Sequence, residues 1–130
     1  DWHRAGVDAK RASTVLAAAR VAARLEQTAA LPHDACDRRL TAVPGIGAWT
    51  SAEVRQRAHG DPDAVSVGDY HLPTLVGHAL VGKPVDDDGM LELLEPYAGH
   101  RYRAVRLIEL LVVRPPRRAP RMAPRDFRRM

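Results

Sequence analysis

The spacing of apolar and polar positions along this chain is helical almost throughout. Apolar residues recur three or four positions apart, whereas the strict alternation that marks a half-buried β-strand is nearly absent. Ala, Arg, Leu and Glu dominate the first long segment, and these residue types favour helix. Pro and Gly interrupt the later segments at intervals that suit short helices. The sequence therefore predicts an all-α helical bundle.

The boundaries follow from the same pattern. Four predicted helices span residues 8–27, 34–42, 48–59 and 101–113. An extended loop, Asp63 to Pro73, leads into a further helix that ends near Val81. Asp86 to Asp88 are predicted to cap the next, which runs to Leu94, because Asp favours a helix start. The predicted apolar face of the last helix consists of Val105, Leu107, Ile108, Leu111 and Val112.

Composition narrows the chemistry. At 130 residues with 45% hydrophobic content, the chain is sized for one globular domain. No apolar run reaches the roughly 18 residues of a membrane span. The single cysteine, Cys36, excludes an internal disulfide, a four-cysteine iron–sulfur cluster and a Cys-based zinc site. The six histidines are scattered along the sequence, and we expect no metal and no cofactor. The single cysteine fits a protein of the reducing cytoplasm.

The positive charge is uneven. The net charge is +4, yet residues 114–130 contain seven Arg and one Asp, which give +6 and leave −2 for residues 1–113. We therefore divide the chain into a helical domain, residues 1–113, and an irregular Arg/Pro-rich tail, residues 114–130. A basic tail suits an acidic polymer such as nucleic acid, and it equally suits a disordered end that keeps the protein in solution.

The stretch "LTAVPGIGAWTSAEV", Leu40 to Val54, places Pro44-Gly45-Ile46-Gly47 between two predicted helices. Gly45 and Gly47 leave no side chain between the backbone and a ligand, and they adopt positive φ cheaply. The helix that follows presents unpaired N–H groups and the positive end of its dipole. Together these features predict a seat for a phosphate. A tight helix–helix turn without a ligand explains the same spacing.

The stretch also resembles the helix-hairpin-helix motif of the DNA glycosylase superfamily named for that motif and for a following Gly/Pro-rich loop with an Asp. The second half of that signature resembles "GDPDAVSVGDY", in which Asp69 stands 22 residues after Gly47. The Trp49-Thr50 pair is similar to the 3-methyladenine DNA glycosylase II branch. The segments "DWHRAGVDAKRASTVLAAA" and "EPYAGHRYRAVRLIELL" resemble its preceding and closing helices, so the likeness covers about residues 1–113.

The resemblance implies a hydrolase that removes alkylated purines such as 3-methyladenine from double-stranded DNA in base excision repair. Asp69 would be the catalytic carboxylate, and Trp49 and Tyr70 would form the pocket for the flipped base. Trp49 stands where members that cut the DNA backbone carry a nucleophilic Lys, so water would be the nucleophile. The DNA-binding residues would be Gly45, Ile46, Gly47, Thr50 and Ser51.

Simpler interpretations of these residues remain open: Asp69 as a helix N-cap, and Trp49 as a core residue. Members of the superfamily carry further helices before the matched region, so we expect residues 1–113 to form the C-terminal part of such a domain. The alternative function is a non-catalytic DNA-binding module or an inactive fragment. In either case we expect a monomer that binds no membrane and lies in the cytoplasm, associated with the nucleoid when bound to DNA.

Overall fold

The computed structural model describes residue 2 and residues 4–111, and within them all regular structure is helical. The all-α prediction is confirmed for this part of the chain, and the Arg/Pro-rich tail lies outside it. Two short 3₁₀ segments, Gln27–Ala30 and Glu95–Tyr97, accompany the α-helices. In chain order the α-helices are α1 (Ala9–Arg20), α2 (Ala22–Glu26), α3 (His33–Thr41), α4 (Ala48–Ala58), α5 (Leu72–Val81), α6 (Asp87–Leu94) and α7 (Arg101–Leu111).

The predicted first helix, residues 8–27, is wrong as a single element. It begins as expected, because the Asp8 carboxylate accepts a hydrogen bond from the Arg11 N–H at 2.8 Å. It breaks at Val21, which has non-helical backbone angles and whose N–H donates to the Ala18 carbonyl, and α2 follows. The break lets Thr28, 4% exposed, turn inward, where its Oγ1 lies 3.2 Å from His59 Nε2. Tertiary packing thus overrides a uniform helix propensity.

One contiguous apolar core joins α5, α6 and α7. Its buried members are Leu72, Val76, Met90, Leu94, Val105 and Ile108. The predicted apolar face of α7 is only half right, since Leu107 and Leu111 are 61% and 79% exposed and Val112 lies outside the described residues. The buried face of α7 is narrower than predicted, because one apolar stripe of a helix suffices for its contact with the rest of the core.

Polar contacts as well as buried apolar side chains join α3 and α4. The Ser51 hydroxyl on α4 donates to Asp37 Oδ1 on α3 at 2.6 Å, and Arg55 Nη2 lies 3.4 Å from the same oxygen. Arg55 also contacts Asp61, whose side chain is 3% exposed, at 2.5 Å. Between the two helices lies the Pro-Gly turn, residues 42–47. These ties fix the start of α4 relative to the loop that follows α4.

None of the helices in the described part of the chain is both long and apolar enough to cross a bilayer.

Candidate functional site

The first turn of α4 offers hydrogen-bond donors without acceptors. Gly47 is the N-cap, with extended backbone at φ −98° and no side chain to accept from the helix. The first bond along the helix runs from the Ser51 N–H to the Gly47 carbonyl at 2.9 Å. Within residues 4–111, the N–H groups of Ala48, Trp49 and Thr50 have no acceptor. Such donors, together with the positive end of the helix dipole, favour an anion.

The two glycines of the turn have different roles. Gly45 has φ +91°, and a Cβ at this position would lie 1.9 Å from the Oγ1 of Thr14 on α1. Its lack of a side chain is therefore explained by backbone conformation and by the close approach of α1. Gly47 has negative φ, and a Cβ there would meet nothing within 4 Å. Of the two glycines of the turn, Gly47 is the one whose missing side chain faces open space.

Two other residues predicted to contact DNA are engaged inside the protein. The N–H of Ile46 donates to the Val43 carbonyl at 3.0 Å, as part of the turn itself. Ser51 is fully buried, and its hydroxyl donates to Asp37. Neither group is available to a phosphate in this arrangement. Thr50 is half-buried in the first turn of α4, with a free N–H.

Asp69 lies beside α4, at the end of the loop of residues 59–71. Its Oδ2 accepts a hydrogen bond from Trp49 Nε1 at 3.1 Å. Its Oδ1 accepts from the N–H groups of His71 at 2.8 Å and Leu72 at 3.0 Å, which start α5. Asp69 thus hydrogen-bonds to the backbone at the start of α5 and to Trp49 in the first turn of α4. The N-cap interpretation is not confirmed, because the N-cap of α5 is His71, although Asp69 accepts hydrogen bonds from the backbone at that helix start.

These contacts keep the carboxylate ionised. Partial burial raises the pKa of the Asp69 carboxyl, but hydrogen bonds from the His71 N–H and the Trp49 indole lower it by more, and the Leu72 N–H adds to them. The pKa of this group therefore lies below its ordinary value of 3.8. At neutral pH the group is a fixed negative charge rather than a proton donor.

The aromatic residues assigned to a base pocket lie at the surface. Trp49 is 43% exposed, so it is not a core tryptophan, and Tyr70 is 89% exposed with its ring edge-on to that of His71. A cavity of about 100 Å³ does lie beside the Pro-Gly turn, but Trp49, Asp69 and Tyr70 are not among its lining residues. Its walls are formed by Ala17, Val21, Arg24, Leu25, Arg39, Ala42, Val43 and Pro44.

Sequence reasoning missed the residues that hold the loop before Asp69. Gln56 Nε2 donates to the Ala64 carbonyl at 2.9 Å and to the Ser66 hydroxyl at 3.0 Å. The Ser66 hydroxyl in turn donates to Glu53 Oε1 at 2.7 Å. The available signal was the spacing of Trp49, Glu53 and Gln56, which places three polar-tipped side chains on one face of α4.

The loop of residues 59–71 is also hydrogen-bonded to α6. The Gly68 N–H donates to both carboxylate oxygens of Asp87, at 3.1 and 3.2 Å, and Asp86 caps α6 through the Gly89 N–H. The predicted capping role of this acidic run is confirmed for Asp86, whereas Asp87 contacts the loop of residues 59–71. Within the described ranges, no three His, Cys, Asp or Glu side chains are grouped so as to hold a metal ion.

No protein-family model, curated protein or solved structure matches this chain.

Proposed function

We propose that this protein is a monofunctional DNA glycosylase that hydrolyses the N-glycosidic bond of alkylated purines. The observation that carries the proposal is the hydrogen bond from Trp49 Nε1 to Asp69 Oδ2, 3.1 Å long. It joins the two halves of the signature that resembles the helix-hairpin-helix glycosylases, 20 residues apart in sequence. An ionised carboxylate beside a helix N-terminus with free N–H groups suits base excision on a phosphate-bound strand.

The carboxylate has one oxygen to spare. Oδ1 accepts two backbone N–H groups and is fully used, whereas Oδ2 accepts only the Trp49 indole. Oδ2 therefore has a free lone pair. Departure of the base leaves positive charge on the sugar, and Oδ2 stabilises that charge or accepts a proton from the attacking water. A carboxylate that is already ionised and hydrogen-bonded needs no reorganisation to do so.

Trp49 acquires a second role in this mechanism. Its indole N–H orients the carboxylate, while its partly exposed ring face is available to stack on a base swung out of the duplex. A purine alkylated at a ring nitrogen is cationic, so an aromatic face attracts it. The same charge makes it a good leaving group, which suits a site with open aromatic walls. With no amine at this position, water is the nucleophile.

The phosphate contact is proposed to involve backbone rather than side chains. A Cβ at Gly47 would meet nothing within 4 Å, and the N–H groups of Ala48, Trp49 and Thr50 that follow are the proposed donors to a phosphate oxygen. The contact reads no bases, since backbone donors to phosphate hold a strand at any sequence. We leave Ser51 and Ile46 out of the interface because their donors are already bonded within the protein.

The test is release of 3-methyladenine and 7-methylguanine from methylated duplex DNA under single-turnover conditions. Asp69→Asn keeps the shape of the side chain and removes its charge, so we expect the rate to fall on the order of 10²-fold while DNA affinity is retained. The matched control is Asp88→Asn, which removes an exposed carboxylate on α6 and leaves the rate unchanged. Equal rates for wild type and Asp69→Asn contradict the proposal.

A non-catalytic DNA-binding module is the second candidate. The observation that favours it is that hydrogen bonding to the backbone at the start of α5 alone accounts for an Asp at position 69. It predicts sequence-blind binding whose affinity falls steeply with salt, and no base release by the wild type. Removal of residues 114–130 makes the salt dependence shallower if the arginines of the tail contact phosphate. An unchanged slope places the tail outside the interface.

A further inference from the structure

The loop of residues 59–71 is fastened to one face of α4. Trp49, Glu53 and Gln56 follow one another at helical spacing, and each of the three hydrogen-bonds to this loop. Trp49 holds the end of the loop at Asp69, and Glu53 and Gln56 meet at Ser66. Hydrogen bonds from this face of α4 therefore determine the position of the loop of residues 59–71.

Ser66 is the centre of that arrangement. Its side chain is buried, at 4% exposure, and its hydroxyl both accepts from Gln56 and donates to Glu53. Its carbonyl accepts the N–H of Asp69 at 3.2 Å. The residue thus connects two side chains of α4 to the backbone of the candidate catalytic carboxylate. A hydroxyl with both a donor and an acceptor partner is fixed in direction as well as in place.

We propose that Ser66 and its partner Glu53 are positioning residues for Asp69, which hold its carboxylate in line with the first turn of α4. The inference rests on the proposed glycosylase function for its effect on rate, although its structural part stands without it. Neither side chain contacts the carboxylate directly. Both act through the backbone of the loop. Their effect on the rate can be large, because a reacting group displaced by about 1 Å loses up to about 10²-fold in rate.

The alternative is that the network only stabilises the fold. A purely structural role lowers stability and leaves the chemistry of the folded fraction intact. A positioning role instead lowers the single-turnover rate at saturating DNA while the Kd for DNA stays the same. It also displaces the Trp49 indole N–H resonance, because the hydrogen bond from that group to Asp69 is lengthened or turned.

The experiment compares Ser66→Ala with Ser13→Ala, which removes an exposed hydroxyl from α1. For Ser66→Ala we expect a rate about tenfold lower at saturating methylated DNA, a Kd within about twofold of wild type, and a shifted Trp49 indole resonance. Ser66→Thr returns the hydroxyl and is expected to recover most of the rate. An unchanged rate and an unmoved resonance in Ser66→Ala overturn the inference.

A second variant covers the case in which Ser66→Ala does not fold. Glu53→Ala removes the carboxylate that accepts the hydrogen bond from the Ser66 hydroxyl. It keeps α4 intact, because Ala is a strong helix former. Its control is Glu92→Ala on the exposed side of α6. Glu53→Ala is expected to shift the Trp49 resonance and Glu92→Ala to leave it in place. If wild type releases no base, the glycosylase proposal fails, while the resonance still decides whether Asp69 is positioned by this network.

Discussion

The two helical regions of this molecule are held together by different forces. The α5–α7 region shares a continuous apolar core in which Val76, Met90 and Leu94 are completely buried. The α3–α4 region also buries apolar side chains, among them Cys36, Leu40 and Ala52. In addition, Ser51 and Arg55 on α4 contact Asp37 on α3. Apolar packing joins the first region, whereas the second combines apolar packing with directed polar contacts.

The difference explains where the candidate site lies. An apolar core stabilises without fixing the direction of any polar group, because the hydrophobic effect is non-directional. Hydrogen bonds fix direction, and they are concentrated around α4 and the loop of residues 59–71. Asp69 stands at the boundary between the two regions, three residues before Leu72 enters the apolar core. The apolar core that follows Asp69 and the hydrogen bonds around α4 together hold the Asp69 carboxylate in place.

The largest expected effect comes from removing volume in the α5–α7 region. Leu94→Ala deletes a fully buried side chain and leaves a cavity, so the free energy of unfolding is expected to fall by about 2–5 kcal/mol. Leu110→Ala on α7 is the control, since Leu110 is 73% exposed and its loss costs less than about 0.5 kcal/mol. Urea unfolding of both variants measures the difference. Similar losses would show that α5–α7 does not form the core described.

In the turn between α3 and α4, we expect an added side chain rather than a removed one to lower the free energy of unfolding. Gly45→Ser places a Cβ against Thr14 at positive φ, so it destabilises by more than about 1 kcal/mol. Gly47→Ser adds a residue type that favours the N-cap position in open space, so stability rises by a few tenths of a kcal/mol.

The same pair separates folding from binding. The new hydroxyl of Gly47→Ser occupies N–H groups of the first turn of α4, which we propose as the phosphate seat. We therefore expect weaker DNA binding from a protein that is at least as stable as wild type, measured by fluorescence anisotropy alongside thermal unfolding. Unaltered affinity in Gly47→Ser would remove the first turn of α4 from the interface.

The smallest expected effect concerns the contact between the two halves of the site. Trp49→Phe keeps an aromatic ring and removes the hydrogen bond to Asp69, so the pKa of Asp69 is expected to rise towards 3.8. In wild type the lowered pKa contributes stability above pH 3.8 that is lost as the pH falls through the folded-state value. A carboxyl titration by NMR measures the change, and an unchanged midpoint in Trp49→Phe would mean that the indole does not stabilise the charge.

The sequence predicted the helices well where the determinants are local. Pro32, Gly60 and Pro62 separate the helices of the first half much as expected, and Asp86 caps α6. It failed where the determinant is remote. After the break at Val21 the chain brings Thr28 to His59, 31 positions away in the sequence, and no local propensity contains such a contact.

The candidate site divides in the same way. Residue types and spacing alone pointed to the Pro-Gly turn, whereas Asp69 was assigned only through the resemblance to a family. The hydrogen bond that joins Trp49 to Asp69 is a tertiary feature. The misassignment of Ser51 has a simple cause, since its position in the first turn of α4 suggested an exposed donor. Knowing that it faces Asp37 requires the packing of α3 on α4.

The most direct test of the central claim, that Asp69 is a fixed charge which stabilises a cationic sugar, is binding to a mimic of that state. Two duplexes are compared, one with a cationic pyrrolidine in place of the sugar of the lesion and one with a neutral tetrahydrofuran. Wild type is expected to prefer the cationic duplex by on the order of 10²-fold, and Asp69→Asn to lose most of that preference. The same preference in both proteins, or none in wild type, would contradict the account.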